Sequence, residues 1–345
     1  MQALLSPEIS HWISKTIAAD TGQENLTVLQ LAGDASARRY YRLIQGERTW
    51  ILMSWEPFSS ADYPFLSVQK HFAAAGVSVP AVLAVNEDLG LLLLEDLGDL
   101  TLERKFWESP NPEDSDFFYK KTLDELIRIH DVATSADIKS TASVTAFDTA
   151  KFLWEMNYAK EHLLSGLLKI KFSAAEANEL EKTFIHFCEI LHKKPKVICH
   201  RDFHSRNVMI KLDQVRIIDF QDARLGPAQY DLVSLFRDSY VDMSEEYAQK
   251  LMTYYLENSQ ITARPGFNRD EFSETYELQS LQRCFKACGS FASFMNMRND
   301  RRYLKYLAPT LKKVMKSLTH FPQYSLITNL LLDSGALEKN YETLS

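Results

Sequence analysis

The sequence has no long apolar run. No stretch of its 345 residues matches the roughly 20 consecutive apolar residues that a membrane-spanning helix needs, so no membrane partner is expected. A secretory start is missing as well. The opening MQALLSPEISHWISK carries no basic segment followed by a long apolar stretch. Long Lys/Arg runs are absent, and 39 basic against 46 acidic residues leave a net charge of −7. Nucleic acid and anionic lipid are recognised through a positive footprint, so neither is expected as a partner. A local positive pocket for a phosphate ligand remains compatible with this balance. Cysteine is scarce: Cys188, Cys199, Cys284 and Cys288 form neither a disulfide framework nor a zinc signature. Cys284 and Cys288 stand at i, i+4 in a helical stretch and read as reduced, partly buried thiols. There is no internal repeat and no low-complexity tract. A cytoplasmic, monomeric protein is expected.

The composition that remains is that of a globular enzyme, with 46% hydrophobic and 25% charged residues. The length exceeds one compact domain, which predicts two lobes. The first hundred residues are strand-rich. Thr27–Leu31 (TVLQL), Arg39–Ile44 (RYYRLI) and Thr49–Met53 (TWILM) read as strands, with a turn at Gln45-Gly46-Glu47. Asp62–Ala75 reads as a helix that stops at Gly76, and Val79–Val85 and Gly90–Leu94 as two further strands. Leu97-Gly98-Asp99 marks a lobe boundary. Beyond it helical spacing dominates, at Asp116–His130, Phe152–Leu168, Ala174–His192, Ser244–Asn258, Asp270–Met297 and Tyr303–Leu318. One island of short strands interrupts the helices: Val197–Cys199, Val208–Lys211 and Val215–Ile218.

That island carries the chemistry. It reads His200-Arg201-Asp202-Phe203-His204-Ser205-Arg206-Asn207, then an apolar hairpin, then Asp219-Phe220-Gln221-Asp222. An apolar strand delivers Asp202 into a loop, Asn207 ends the loop, and the hairpin returns Asp219 beside it. One Asp can orient a hydroxyl and accept its proton, while an Asn and a second Asp offer hard oxygen ligands to Mg²⁺. Phosphoryl transfer asks for those parts: metal charge, alignment and a placed nucleophile. The pattern H-R-D-x-x-x-x-N is complete, and D-F follows after a hairpin-length gap. A plain acidic loop beside two buried strands explains fewer of these coincidences.

The chain resembles the aminoglycoside-phosphotransferase-like kinases, small-molecule relatives of the protein kinases, from about residue 25 to about residue 320. Within them it is most similar to bacterial anomeric sugar kinases acting on N-acetylmuramate and N-acetylglucosamine. The segments that carry this are Gly33–Tyr40, Leu94–Asp99 and Gly226–Tyr240. The resemblance implies an α+β, protein-kinase-like bilobal fold, with a small β-rich nucleotide-binding lobe over residues 1–98 and a larger helical lobe for catalysis and substrate over 99–345. It implies Asp202 as base, Asn207 and Asp219 as metal ligands, ATP and Mg²⁺ as cofactors, and the Glu95–Leu97 backbone as the adenine-holding hinge. Asp231 and His200 are expected to brace the loop. A small amino-sugar acceptor and a role in cell-wall sugar salvage are further implications.

Two departures stand out. The third strand offers Met53 where most kinases have a phosphate-holding Lys, and no G-x-G-x-x-G is present. Ser36, Arg38 and Arg39 in the 33–39 loop could replace both, through backbone N–H groups, a hydroxyl and a guanidinium. Strand alternation lets only one arginine face the cleft and does not by itself choose which. Two solvated arginines on a hairpin are the alternative. On the acceptor side the candidates are Glu155, Asn157, Tyr158, His204, Asp222, Arg224, Arg237 and Asp238. Glu155 and Tyr158 lie one helical turn apart. Arg237 and Asp238 can equally form ion pairs, and Phe285, Phe291 and Phe294 read as core. Three functions compete: a sugar 1-kinase; a phosphotransferase for an aminoglycoside, choline or another small alcohol; and a pseudokinase, which the missing Lys favours.

Overall fold

The computed structural model describes residues 5–17, 26–31 and 38–343. Its first part is a five-stranded antiparallel sheet, β1 (Thr27–Gln30), β2 (Arg39–Gln45), β3 (Arg48–Ser54), β4 (Val82–Asn86) and β5 (Leu91–Glu95), in the order β1-β2-β3-β5-β4. Gly46, at φ 57°, supplies the left-handed residue that the tight β2–β3 hairpin needs, and Gln45 pairs with Arg48. Alternation gives the sheet two buried faces. Tyr41, Leu43, Leu52, Leu91 and Leu93 form an outer cluster with Ile13 and Ile17 of α1 (Pro7–Ile17). Met53, Leu92 and Leu94 face the main core. The unbroken run of leucines in β5 is buried on both sides for that reason. Helix α2 (Pro64–Ala74) starts on proline, two residues later than expected, and stops at Gly76, φ +76°, as its sequence predicts. It packs Phe65 and Phe72 on Phe220, with ring centroids 5.0 and 6.0 Å apart.

The link out of the sheet is clamped. Arg42 pairs with Asp96 at 2.8 Å and with Asp99 at 2.9 Å, while Asp96 Oδ1 accepts the Gly98 N–H at 2.9 Å. Burial pushes the Asp96 carboxyl up, but the Gly98 N–H and the Arg42 guanidinium outweigh it and hold it below the usual range.

Beyond the link the protein is mostly helical: α3 (Leu102–Glu108), α4 (Asp116–Ile127), α5 (Thr141–Val144), α6 (Thr149–Ala159), α7 (Ala174–Lys193), α8 (Gln229–Phe236), α9 (Glu245–Asn258), α10 (Arg269–Arg298), α11 (Leu307–Leu318) and α12 (Ser325–Asp333). Helices α4 and α6 run on into π-helical turns, Arg128–Ala133 and Lys160–Leu167. The 30-residue α10 is the axis of this part. Asn268 caps its start and Asn299 ends it in the left-handed region, φ 50°. Gly289 lets α6 approach closely: a Cβ there would lie 2.4 Å from the Ala159 Cα. A small β-rich part and a larger helical part are therefore both present, as the resemblance implied.

The strand island has its three expected strands and one more. Strands β7 (Val208–Lys211) and β8 (Gln214–Ile217) form a hairpin of their own, whereas β6 (Val197–Cys199) pairs with β9 (Arg224–Gly226). Strand β9 carries only three residues, Arg-Leu-Gly, too few for a period to show. Its partner had to come from 25 residues away in sequence, Cys199 to Arg224.

Candidate active site

The loop after β6 is held by buried hydrogen bonds to its main chain. Arg201 sits at φ 84°, a costly region for a residue with a Cβ. Asp231, fully buried in α8, stabilises that turn: its Oδ2 accepts the His200 N–H at 2.6 Å and its Oδ1 the Arg201 N–H at 2.9 Å. His130 lies 3.2 Å from the same carboxylate. Asp238 repeats the device two residues past the end of α8, taking the Ser205 N–H and hydroxyl at 2.8 and 2.6 Å. His200 Nε2 meets the Ile218 carbonyl at 2.9 Å, which ties the loop to the strand end carrying Asp219. Asp231 and His200 thus brace the loop through backbone contacts.

Asn207 and Asp219 end side by side. The Asn207 Nδ2 donates to the Asp202 carbonyl at 2.9 Å and approaches Asp219 Oδ2 at 3.4 Å. The Ile218 N–H donates to the Asn207 carbonyl at 3.0 Å, which fixes the hairpin against the loop. Asp219 takes φ 65°, and its Oδ1 accepts from Gln221 Nε2 at 2.8 Å. With its nitrogen committed, Asn207 keeps Oδ1 as an acceptor beside a carboxylate. Two adjacent hard oxygen donors fit a divalent cation such as Mg²⁺.

Asp202 has a different setting. Two cations one turn apart on α10 face it: Arg283 Nη2 at 3.0 Å and Lys286 Nζ at 3.7 Å. Burial alone would raise its pKa, but Lys286, Arg283 and Arg201 outweigh burial and hold the carboxyl far below the usual range. Asp202 is therefore an anion at neutral pH. It borders a cavity of about 110 Å³, with His204, Tyr240, Lys286, Ser290 and Phe294 among the lining. Burial lowers the pKa of His204, which keeps its ring neutral near pH 7.

The remaining candidates scatter. Ser36 lies outside the described residues. Arg38 is half-buried with its guanidinium 5.8 Å from the Trp55 ring centroid, on the face of β2 that carries Tyr40 and looks toward Asp219. Arg39 is exposed on the other side. Arg38 and Arg39 thus lie on opposite sides of the sheet, as alternation requires. Met53 is wholly buried. Glu95 accepts from the Ala81 N–H at 3.3 Å and lies 3.9 Å from Lys211, whose ammonium donates to the Asp96 carbonyl at 2.6 Å. Leu97 is buried at the turn. Strand β5 is apolar, and the main chain of the turn after it is largely bonded within the protein, through Lys211 on the Asp96 carbonyl and Arg42 on the Gly98 carbonyl.

Among the acceptor candidates, His204 lines the cavity beside Asp202. Glu155 does not: it is fully buried, accepting from Gln282 at 2.9 Å and the Tyr230 hydroxyl at 3.3 Å. Tyr158, one turn on, faces elsewhere, stacking on Trp154 at 5.4 Å with His162 tilted against it at 4.3 Å. The shared face expected of these two is not formed, because the inner side of α6 is taken up by α7 and α10. Asp222 is exposed and pairs with Arg201 at 3.1 Å and Arg224 at 3.6 Å. Arg237 pairs with Glu245 and Glu277. Phe285 is core, but Phe291 and Phe294 also border the cavity, which their reading as core did not anticipate. Arg283 and Lys286 are not among the residues the sequence singled out: their stretch of α10 mixes apolar residues with Gln279, Ser280 and Gln282, so no local pattern marks them.

The model of the phosphotransferase enzyme family matches residues 27–268, more than half of the chain. The chain belongs to that family. It is a phosphotransferase with an alcohol group as acceptor. Among curated proteins the phosphotransferase is 29% identical over 311 residues to the N-acetylmuramate/N-acetylglucosamine kinase of Neisseria meningitidis, covering 88% of this chain and 90% of that one. A protein of the same name from Pseudomonas aeruginosa is 28% identical over 318 residues, covering 90% and 89%. Among solved structures, an ADP-bound aminoglycoside phosphotransferase superposes with a TM-score of 0.57 at 16% identity, over 90% of this phosphotransferase and 98% of the other. The fold is therefore protein-kinase-like.

Proposed function

We propose that the protein is an ATP-dependent sugar kinase that phosphorylates the 1-hydroxyl of an amino sugar of the N-acetylmuramate or N-acetylglucosamine kind, in cell-wall sugar salvage. The observation that carries the reading is the anionic Asp202 bordering a small cavity, next to a paired oxygen site because Asn207 itself bonds the Asp202 carbonyl at 2.9 Å. The names of the two curated relatives support an amino-sugar acceptor.

In this reading Asp202 accepts a hydrogen bond from the acceptor hydroxyl, aims its oxygen and takes its proton. Asn207 Oδ1 and Asp219 hold Mg²⁺, and Arg38, together with Ser36, holds the phosphates in place of the strand Lys. The Glu95–Leu97 edge receives the adenine. Bound Mg·ATP supplies the phosphoryl group and the metal charge that offsets its oxygens. The new bond joins the sugar oxygen to phosphorus, the bond to the departing ADP oxygen breaks, and the sugar proton ends on Asp202. Residues 1–98 serve the nucleotide and 99–345 the sugar.

A specific feature weighs against the polycationic and quaternary-ammonium acceptors. Arg283 and Lys286 stand beside Asp202 in the cavity, and Asp238 has spent its oxygens on Ser205 and the Tyr240 N–H. Aminoglycosides and choline would meet a surplus of positive charge there. A pseudokinase has no physical need for an Asp202–Asn207–Asp219 set held by this many buried bonds. The deciding experiment is an ADP-release screen over amino sugars, hexoses, aminoglycosides and choline. The expected result is turnover of an amino sugar with an acid-labile 1-phosphate product. Turnover confined to aminoglycosides or choline, or nucleotide binding without turnover of any acceptor, rejects the reading.

A further inference from the structure

We propose that Lys286 reads a carboxylate on the sugar acceptor, and so makes this enzyme prefer an acidic amino sugar such as N-acetylmuramate over its neutral counterparts. The inference rests on the sugar-kinase reading and deepens it.

Lys286 has a charge the protein does not fully answer. Its side chain is 15% exposed, and its ion pair with Asp202, at 3.7 Å, is longer than a hydrogen bond. Burial lowers its pKa and Asp202 opposes that shift. Asp202 already receives a direct bond from Arg283, whose Nε is spent on the Ser234 hydroxyl at 3.0 Å. Arg283 thus has its Nε and Nη2 committed to Ser234 and Asp202, while among the described residues no hydrogen bond is formed by the Lys286 ammonium, which keeps donors for the cavity it lines. A nearly buried ammonium with donors to spare favours an anion as occupant.

The surroundings set the size and kind of that anion. The cavity measures about 110 Å³, and Ser239 and Ser290 line it together with the rings of Phe291 and Phe294. This suits a small, partly apolar acid substituent such as a lactyl ether. It leaves no acidic side chain other than Asp202 and the hydrogen-bonded Asp238 to compete. In N-acetylmuramate the lactyl carboxylate hangs from the ring carbon two bonds from the one bearing the 1-hydroxyl. A sugar with its 1-hydroxyl on Asp202 therefore carries its carboxylate toward the adjacent ammonium.

The test compares N-acetylmuramate with its carboxamide, which has the same shape without the charge, in wild type and Lys286→Met. Wild type is expected to favour the acid by about tenfold or more in kcat/KM, the size of one charge-assisted hydrogen bond. In Lys286→Met the ratio falls toward one, mainly through the KM of the acid, and Lys286→Arg retains part of it. A general loss of rate through Asp202 would affect both sugars alike and leave the ratio unchanged. That result overturns the proposal while the sugar-kinase reading stands. An acid-to-amide ratio near one in wild type overturns it too and needs no variant to fold. Failure of wild type to phosphorylate either sugar, with turnover of some other alcohol, removes the underlying reading and the proposal with it.

Discussion

Asp202 and Asp219 lie close together at the two ends of one strand-and-hairpin unit, yet the protein treats them in opposite ways. Asp202 faces a guanidinium at 3.0 Å and an ammonium at 3.7 Å, both from α10. Asp219 receives its hydrogen bonds from the neutral amides of Gln221 and Asn207. The first carboxylate is balanced by fixed charges, so it is held in place as an anion that can orient a hydroxyl. The second keeps its charge largely uncompensated by hydrogen-bond partners, which is the condition for attracting a mobile cation. Two aspartates of identical chemistry are given different electrostatic settings by their neighbours.

Substitutions can break this contrast. Asp202→Ala should give the largest effect, a loss of kcat on the order of 10²–10⁴-fold with nucleotide affinity retained, read by steady-state kinetics and nucleotide titration. Near-normal turnover would remove Asp202 from the reaction. Asp219→Asn should cost about a hundredfold and, more tellingly, abolish the extra thermal stabilisation that Mg²⁺ adds to bound nucleotide. A variant still stabilised by Mg²⁺ would move the metal elsewhere.

Asp231→Ala probes the scaffold both aspartates share. It orphans the buried His200 and Arg201 N–H groups, and a urea titration should record a loss of roughly 3–5 kcal/mol. Gly289→Ala tests whether α10 must sit close to α6 to aim Arg283 and Lys286. The added Cβ meets the Ala159 backbone at 2.4 Å, so about 1–3 kcal/mol of stability should be lost and the Asp202 site disturbed. The smallest effect concerns pH. The folded pKa of Asp96 is depressed, so its contribution is fully present above the unfolded value of about 3.9 and is lost as pH falls below it. Asp96→Asn should flatten the acid limb of stability by roughly 1 kcal/mol, measured by urea unfolding at pH 5 and pH 3.

Much of this was legible in the residues. The β2–β3 hairpin follows from two strand-like runs on either side of the turn at Gly46, and the end of α2 from Gly76. The loop from His200 to Asn207 and its return at Asp219 were readable because the spacing is short and local. The acceptor side was not. Glu155 and Tyr158 share a turn of α6, but what packs against that turn decides that one is core and the other stacks with surface rings. Which face of β2 is covered by α1 was not readable from alternation alone: it is the face of Tyr41 and Leu43.

The sequence by itself determined the chemical class, through three side chains spaced by one loop and one hairpin, and it determined the strand and helix periods of most elements. Tertiary structure decided the rest. Helix α10 lies more than 60 residues beyond the loop from His200 to Asn207 and brings Arg283 and Lys286 against Asp202, with Arg283 bonding across 81 positions. Local patterns record how a segment buries its own apolar face. They carry no term for which distant charge will come to rest against it, because that is set by packing among helices that have not yet met.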